Sequence, residues 1–220
     1  MNSKEQSERD LKDISFFFKK ARNDSRWLSA DKITALSNFP FFKKLQGPDS
    51  LKFLVYANEK IISLKKDKDH LIKEIVEYCA NQKNISEYVQ LFVFACIFEN
   101  TTAIKLLKIR ENSYDNKKAY NVTSDLFHIF FSILTRYFIE KIERGPIKKV
   151  YLFSFDNALN QFDIDLRQFI DLKGVDFEKD EEPEFDFYCY ASIPRKFFPN
   201  ANNKDIELLK KLFEDKFIFE

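Results

Sequence analysis

Apolar residues recur along most of the chain at intervals of three and four, the spacing that places them on one face of a helix. Over residues 4–22 this aligns Leu11, Ile14, Phe18 and Ala21, while Phe16 and Phe17 point to other sides. A second helix is expected over "SADKITALSNF", capped by Ser29 or Asp31 and closed at Pro40, because the residue before a proline disfavours helical geometry. "PFFKKLQGP" then reads as a short link that ends at the first Gly-Pro. Further helices are expected over residues 49–66, with Asp49 or Ser50 as cap, and over 69–82, 86–100 and 101–109.

The most apolar stretch is "LFHIFFSILTRYFIEKI", residues 126–142. It falls short of the roughly 20 apolar residues needed to span a bilayer, and it carries His128, Arg136 and Lys141. On a helical wheel Leu126, Phe130, Ile133 and Tyr137 form one row, and Phe127, Phe131, Leu134 and Phe138 the next. His128, Ser132 and Thr135 form a narrow polar seam between them. The pattern predicts a buried helix at the centre of a helical domain, capped at Thr123 or Ser124 and stopped by Gly145-Pro146, not an integral membrane segment.

After Pro146 the period changes. "KKVYLFSF" has the β-branched and aromatic content of a strand, and "NALNQFDIDLRQFIDLK" returns to helical spacing before Gly174. "EFDFYCYASI" alternates, with Phe185, Phe187, Cys189, Ala191 and Ile193 on one side and Asp186, Tyr188, Tyr190 and Ser192 on the other. "NKDIELLKKLFEDKF" predicts a last helix with Ile206, Leu209, Phe213 and Phe217 inward. The expected fold is therefore mainly α, and α+β overall: a multi-helix domain over residues 1–145, followed by a small β-α-β-α subdomain over 146–220 packed on it. A sheet of two strands is marginal alone, so it must lie against the helices or gain another strand.

"ACIFENTTAIKLL" resembles the inner helix, tight turn and outer helix of an ankyrin repeat, and "HLIKEIVEYC" upstream is similar to a second outer helix. The resemblance implies helical-repeat packing in this part of the chain. It departs from the family in lacking the Thr-Pro-Leu-His opening, and Glu99 stands where a turn glycine is expected.

Among 220 residues, lysine and arginine nearly balance aspartate and glutamate, giving a net charge of +1. That balance gives no reason to expect nucleic-acid binding, which draws on a basic excess. Cys79, Cys96 and Cys189 are widely spaced in apolar surroundings, which predicts reduced thiols rather than a disulfide framework. "MNSKEQSERDLKD" has no apolar core behind a basic start, so a cytoplasmic location in the producing cell is expected, delivery into another cell remaining compatible with it.

Only 3 glycines are present, and each has a structural assignment: Gly47 and Gly145 as Gly-Pro stops, Gly174 as a helix end. None is left for a phosphate-cradling loop, and no cofactor is expected. His70, beside Asp67 and Asp69, reads as an exposed residue at a helix start, and His128 as a buried, hydrogen-bonded one. No cysteine or histidine pair has zinc spacing, and no metal site is expected. The remaining route to catalysis is carboxylate chemistry: Asp156 at a strand end with Glu184 or Asp186 on the next strand, and His128 as a proton carrier, would suit a metal-dependent phosphoester hydrolase or nuclease. The leading expectation is instead a soluble, non-catalytic module that binds another protein, as adaptor, effector or immunity-type binder. Its candidate contacts are Trp27, Phe41, Phe42, Tyr188 and Tyr190.

Overall fold

Among the described residues, proline, aspartate and asparagine mark the starts of most helices. The structure, a computed structural model, describes residues 40–82, 84–110, 113–137, 191–213 and 216–219. Outside them lie the helices expected over 4–22 and 29–39, the strand at 148–155, the helix at 157–173, Gly145, Gly174 and the expected boundary at 145/146. The chain divides into two units, Met1–Lys44 and Leu45–Glu220.

Helix α1 (Pro40–Leu45) replaces the expected link. Pro40 opens it because a first helical residue needs no N–H partner and proline presets φ. Helix α2 (Pro48–Ser63) starts the same way: Gly47 is its N-cap at φ −67° and ψ 154°, and Pro48 follows. Gly47 therefore starts a helix in ordinary extended geometry. Neither Asp49 nor Ser50 is the cap; Ser50 is buried one turn in, and its Oγ accepts a hydrogen bond from the Ser86 N–H at 2.9 Å. Helix α3 (Lys68–Asn81) is capped by Asp67, whose side chain accepts from the His70 N–H. Helix α4 (Glu87–Ile97) and helix α5 (Thr101–Leu107) follow, the latter capped by Asn100. Helix α6 (Asn116–Tyr137) begins a full two turns before the expected Thr123 or Ser124. Asp115 Oδ1 accepts from the Lys118 N–H at 2.8 Å, so the earlier aspartate captures the helix start and Thr123 is buried inside it.

Among the described residues, left-handed turns are made without glycine. Glu99, Lys108, Arg110 and Ser113 all have positive φ, between 52° and 75°. At the end of α4, the Glu99 N–H donates to the Cys96 carbonyl and the Asn100 N–H to the Ala95 carbonyl. This is a Schellman closure with glutamate in the left-handed position, at the point where the ankyrin-like pattern asks for glycine. Lys108 repeats it after α5, with Lys108 and Ile109 donating to Lys105 and Ile104. Each such residue costs roughly 1–2 kcal/mol of backbone strain relative to a right-handed conformation, which the packing of α4 against α5 offsets.

Among the described residues, α4 is the most completely enclosed helix, and the expected 126–142 helix is described only as far as Tyr137. Every residue from Leu91 to Phe98 is buried, and α4 packs on α2, α3 and α5. Helix α6 packs on α2 and α5: among its described side chains Ala119, Val122, Leu126, Ile129 and Phe130 are buried, while Tyr120 is 52% exposed and His128 is exposed. An apolar wheel does not say which helix its neighbours will enclose. Among the described residues, no helix is long and apolar enough to cross a membrane.

These residues are mostly helical, ending in a short parallel pair of strands. Strand β1 (Ala191–Ile193) is the end of the expected 184–193 strand. A 3-10 turn (Arg195–Phe197) and helix α7 (Asn203–Leu212) lead to β2 (Phe217–Phe219), with Ala191 opposite Phe217 and Ile193 opposite Phe219. Phe217 was expected on the last helix; the helix instead ends at Phe213, and Phe217 pairs as strand. This segment closes over α4 with rings: Phe197 meets Phe92 at 6.0 Å, Phe213 meets Phe94 at 6.1 Å, and Phe198 meets Phe98 at 5.8 Å.

Phe94 is fully enclosed, so Phe94→Ala is expected to lose about 3–5 kcal/mol in urea unfolding. Tyr120→Ala, on the exposed face of α6, should change stability by no more than about 0.5 kcal/mol.

Candidate functional site

Lys68, Glu99, Asn100, Asn200 and Asp205 gather where the C-terminal segment meets the start of α3 and the end of α4. Lys68 Nζ donates to Asp205 Oδ2 at 2.9 Å and to the Asn200 carbonyl at 3.2 Å, and it sits 4.8 Å from the centroid of the Phe98 ring. Asp205 is only 7% exposed. Its carboxylate also accepts from the Asn202 N–H, while Asn202 Oδ1 accepts from the Asp205 N–H, so one aspartate both closes a capping box and neutralises Lys68. A buried carboxylate is tolerable only with such partners.

Glu99, held in the left-handed turn, accepts from Asn200 Nδ2 at 3.0 Å and faces Arg110 Nη2 at 3.6 Å. Asn100 Nδ2 donates to the Phe197 carbonyl, and the Asn200 N–H to the Phe98 carbonyl. Arg110 is itself pinned, since its N–H donates to buried Asn58 Oδ1 at 2.7 Å. Beside this seam opens a cleft of about 190 Å³. Buried Ile61, Leu71 and Ile97 give it an apolar lining. Lys65, Lys68, Arg110, Glu99 and Asn200 make up the rest, an excess of cations over carboxylates.

A second cluster bridges α2 and α3. Glu74 Oε2 accepts from Tyr56 Oη at 2.9 Å and pairs with Lys60 Nζ at 2.7 Å. His70 Nε2 lies 3.7 Å from Glu74 Oε1. The Tyr56 ring stacks on Tyr78 at 4.2 Å. The Lys60 hydrogen bond, then that of Tyr56, holds the Glu74 carboxyl below its ordinary value. Glu74 pushes Lys60 up, and desolvation followed by the Glu74 bond pushes the Tyr56 phenol up. Glu74, Lys60 and Tyr56 are thus held in their resting charge states, the reverse of what a proton carrier at neutral pH needs.

The thiols are similarly quiet. Burial pushes Cys79 up to about 12 and raises Cys96 as well, so both stay protonated and poorly nucleophilic.

Of the residues singled out in the sequence, His128 is exposed on α6, edge-on to Phe127 at 5.7 Å. It is not buried beside Ser132, which is 8% exposed; Leu126 and Phe130 are turned inward, and His128 stands on the solvent side. Phe41 and Phe42 fall in α1, with their side chains outside the described set. Trp27, Asp156, Glu184, Asp186, Tyr188, Tyr190 and Cys189 also lie outside the described residues. Among those described, no group of three or more His, Cys, Asp or Glu side chains is placed to hold a metal ion. Sequence reasoning missed Lys68, Glu99, Arg110, Asn200 and Asp205. The Asn202–Asp205 capping box had a local signal; the Lys68–Asp205 pair, 137 residues apart, had none. Compared with known proteins, the chain matches no family model, no curated protein and no solved structure.

Asp205→Ala removes a cap and a buried counter-charge, and should cost roughly 1–3 kcal/mol in urea unfolding. Lys68→Met should then cost less in that background than in the native one, the signature of direct coupling. For Glu74, a depressed folded value means the folded state binds fewer protons than the unfolded chain near pH 4.5. Its contribution is present above that pH and lost as pH falls through the folded value. Thermal melts of Glu74→Gln should accordingly fall less steeply than wild type below pH 4.5.

Proposed function

We propose that the chain is a non-catalytic module that binds another protein, serving as an adaptor, effector or immunity-type binder in the cytoplasm. The observation that carries this reading is the use made of charge. Lys68 with Asp205, Arg110 with Glu99, and Lys60 with Glu74 hold chain segments to one another. That is the chemistry of a rigid scaffold, with helical faces free to vary in what they recognise. The size of the cleft supports it: about 190 Å³ is below the roughly 300–1,000 Å³ typical of small-molecule and cofactor sites, but suits side chains of a partner. A net charge of +1 favours a protein over a nucleic acid as that partner.

The test joins affinity capture from lysate of the producing cell with a metal titration. The tagged full chain should retain one protein at near 1:1 stoichiometry, confirmed by reconstitution from purified components, with binding unaffected by a chelator. Mg²⁺ and Mn²⁺ should leave its melting temperature unchanged. Failure to retain a partner, together with metal stabilisation lost in Asp156→Ala, would replace this reading with the phosphoester hydrolase.

A further inference from the structure

We propose that the cleft between the α2–α3 corner and the Glu99 turn docks an acidic segment of the partner protein, with carboxylates meeting Lys65 and Arg110 and apolar atoms resting on Ile61, Leu71 and Ile97. The inference rests on the protein-binding reading above and names the chemistry of the partner. Charge complementarity carries it. Lys65, Lys68 and Arg110 line the cleft against the single carboxylate of Glu99.

The three cations are not equivalent. Lys68 is spent: Asp205, the Asn200 carbonyl and the Phe98 ring occupy its ammonium. Lys65 is exposed and has no ion-pair partner among the described residues. Arg110 faces Glu99 at 3.6 Å, with side chains 34% and 54% exposed respectively, an open pair of the kind that contributes little by itself. A guanidinium carries five N–H donors in a planar fork, so Arg110 keeps donors for an incoming carboxylate. Its backbone is fixed by the Asn58 bond and a φ of 75°, which presents the side chain from a pinned position. An apolar lining beside a cationic rim selects an acidic residue next to an apolar one, and about 190 Å³ leaves room for side chains rather than a domain. Glu99 is then the built-in competitor for Arg110.

The decisive measurement is fluorescence anisotropy of the full chain with a labelled Glu-Glu-Leu-Glu-Glu peptide at low and high salt, against a Gln-Gln-Leu-Gln-Gln control. Saturable binding of the acidic peptide is expected, weakened by salt. Lys65→Glu and Arg110→Glu should each weaken it by about fivefold or more. Glu99→Gln should tighten it, an effect that a merely structural role for Glu99 would not produce. Lys117→Glu, the same charge change at an exposed position on α6, should leave it unchanged. Equal binding of the neutral peptide, no binding at low salt, or equal weakening by Lys117→Glu would overturn the inference. If a captured partner binds the Lys65→Glu and Arg110→Glu chains undiminished, the cleft assignment fails while the protein-binding reading stands. If no partner is retained and the peptide does not bind, both fail.

Discussion

Phe92 and Phe94 lie on opposite sides of α4 and Phe98 is its C-cap, and each is met by a phenylalanine from the C-terminal segment. Rings of this size bury large apolar areas, and offset or edge-on pairs add about 0.5–1.5 kcal/mol beyond area alone. The rest of the architecture depends on that layer. Without it α4, buried from Leu91 to Phe98, would present rings to water. Without α4, the strands β1 and β2 would be an isolated pair of short strands, which is not stable by itself. Helices and sheet are therefore mutually dependent, and the abundance of phenylalanine acquires a structural purpose that composition alone does not reveal.

The polar seam is a consequence of the same closure. Bringing the C-terminal segment onto α4 places the Asn200 and Phe197 carbonyls and the Asp205 carboxylate against the helix tips, where they need partners. Lys68 and Asn100 donate to them, while Glu99 accepts from the Asn200 side-chain amide. The hydrogen bonds set the register of the segment, while the rings supply most of the burial. The cleft is what remains beside this seam, and its charge follows from which side chains the seam leaves unspent.

The backbone follows an unusual economy of glycine. With so few available, left-handed positions fall to Glu99, Lys108, Arg110 and Ser113, and the one glycine among the described residues, Gly47, adopts a φ that any residue can take. Counting glycines therefore says little about where this chain can turn. It turns wherever two packed helices repay the local strain. Glu99 shows the benefit: a glycine there would relieve strain but bring no carboxylate to Asn200 and Arg110.

Local order was legible in the sequence. The helices over 48–63, 68–81, 87–97 and 101–107 follow from spacing, because periodicity is a property of nearby residues. Burial of Cys79 and Cys96 was legible for the same reason. The expected caps at Asp49 or Ser50 and Thr123 or Ser124, by contrast, gave way to Gly47 and Asp115. What the tertiary structure alone decided is which helix became the centre, that Phe217 ends in a strand, and which charges meet. Phe92 is enclosed by Phe130 and Phe197, partners that lie far from it along the chain. Lys68 and Asp205 have no signal in common until the fold brings them to 2.9 Å. Hydrophobic spacing fixes what a segment needs to bury, but the partner that buries it is chosen by long-range packing, in which the energy lies between residues that are distant along the chain.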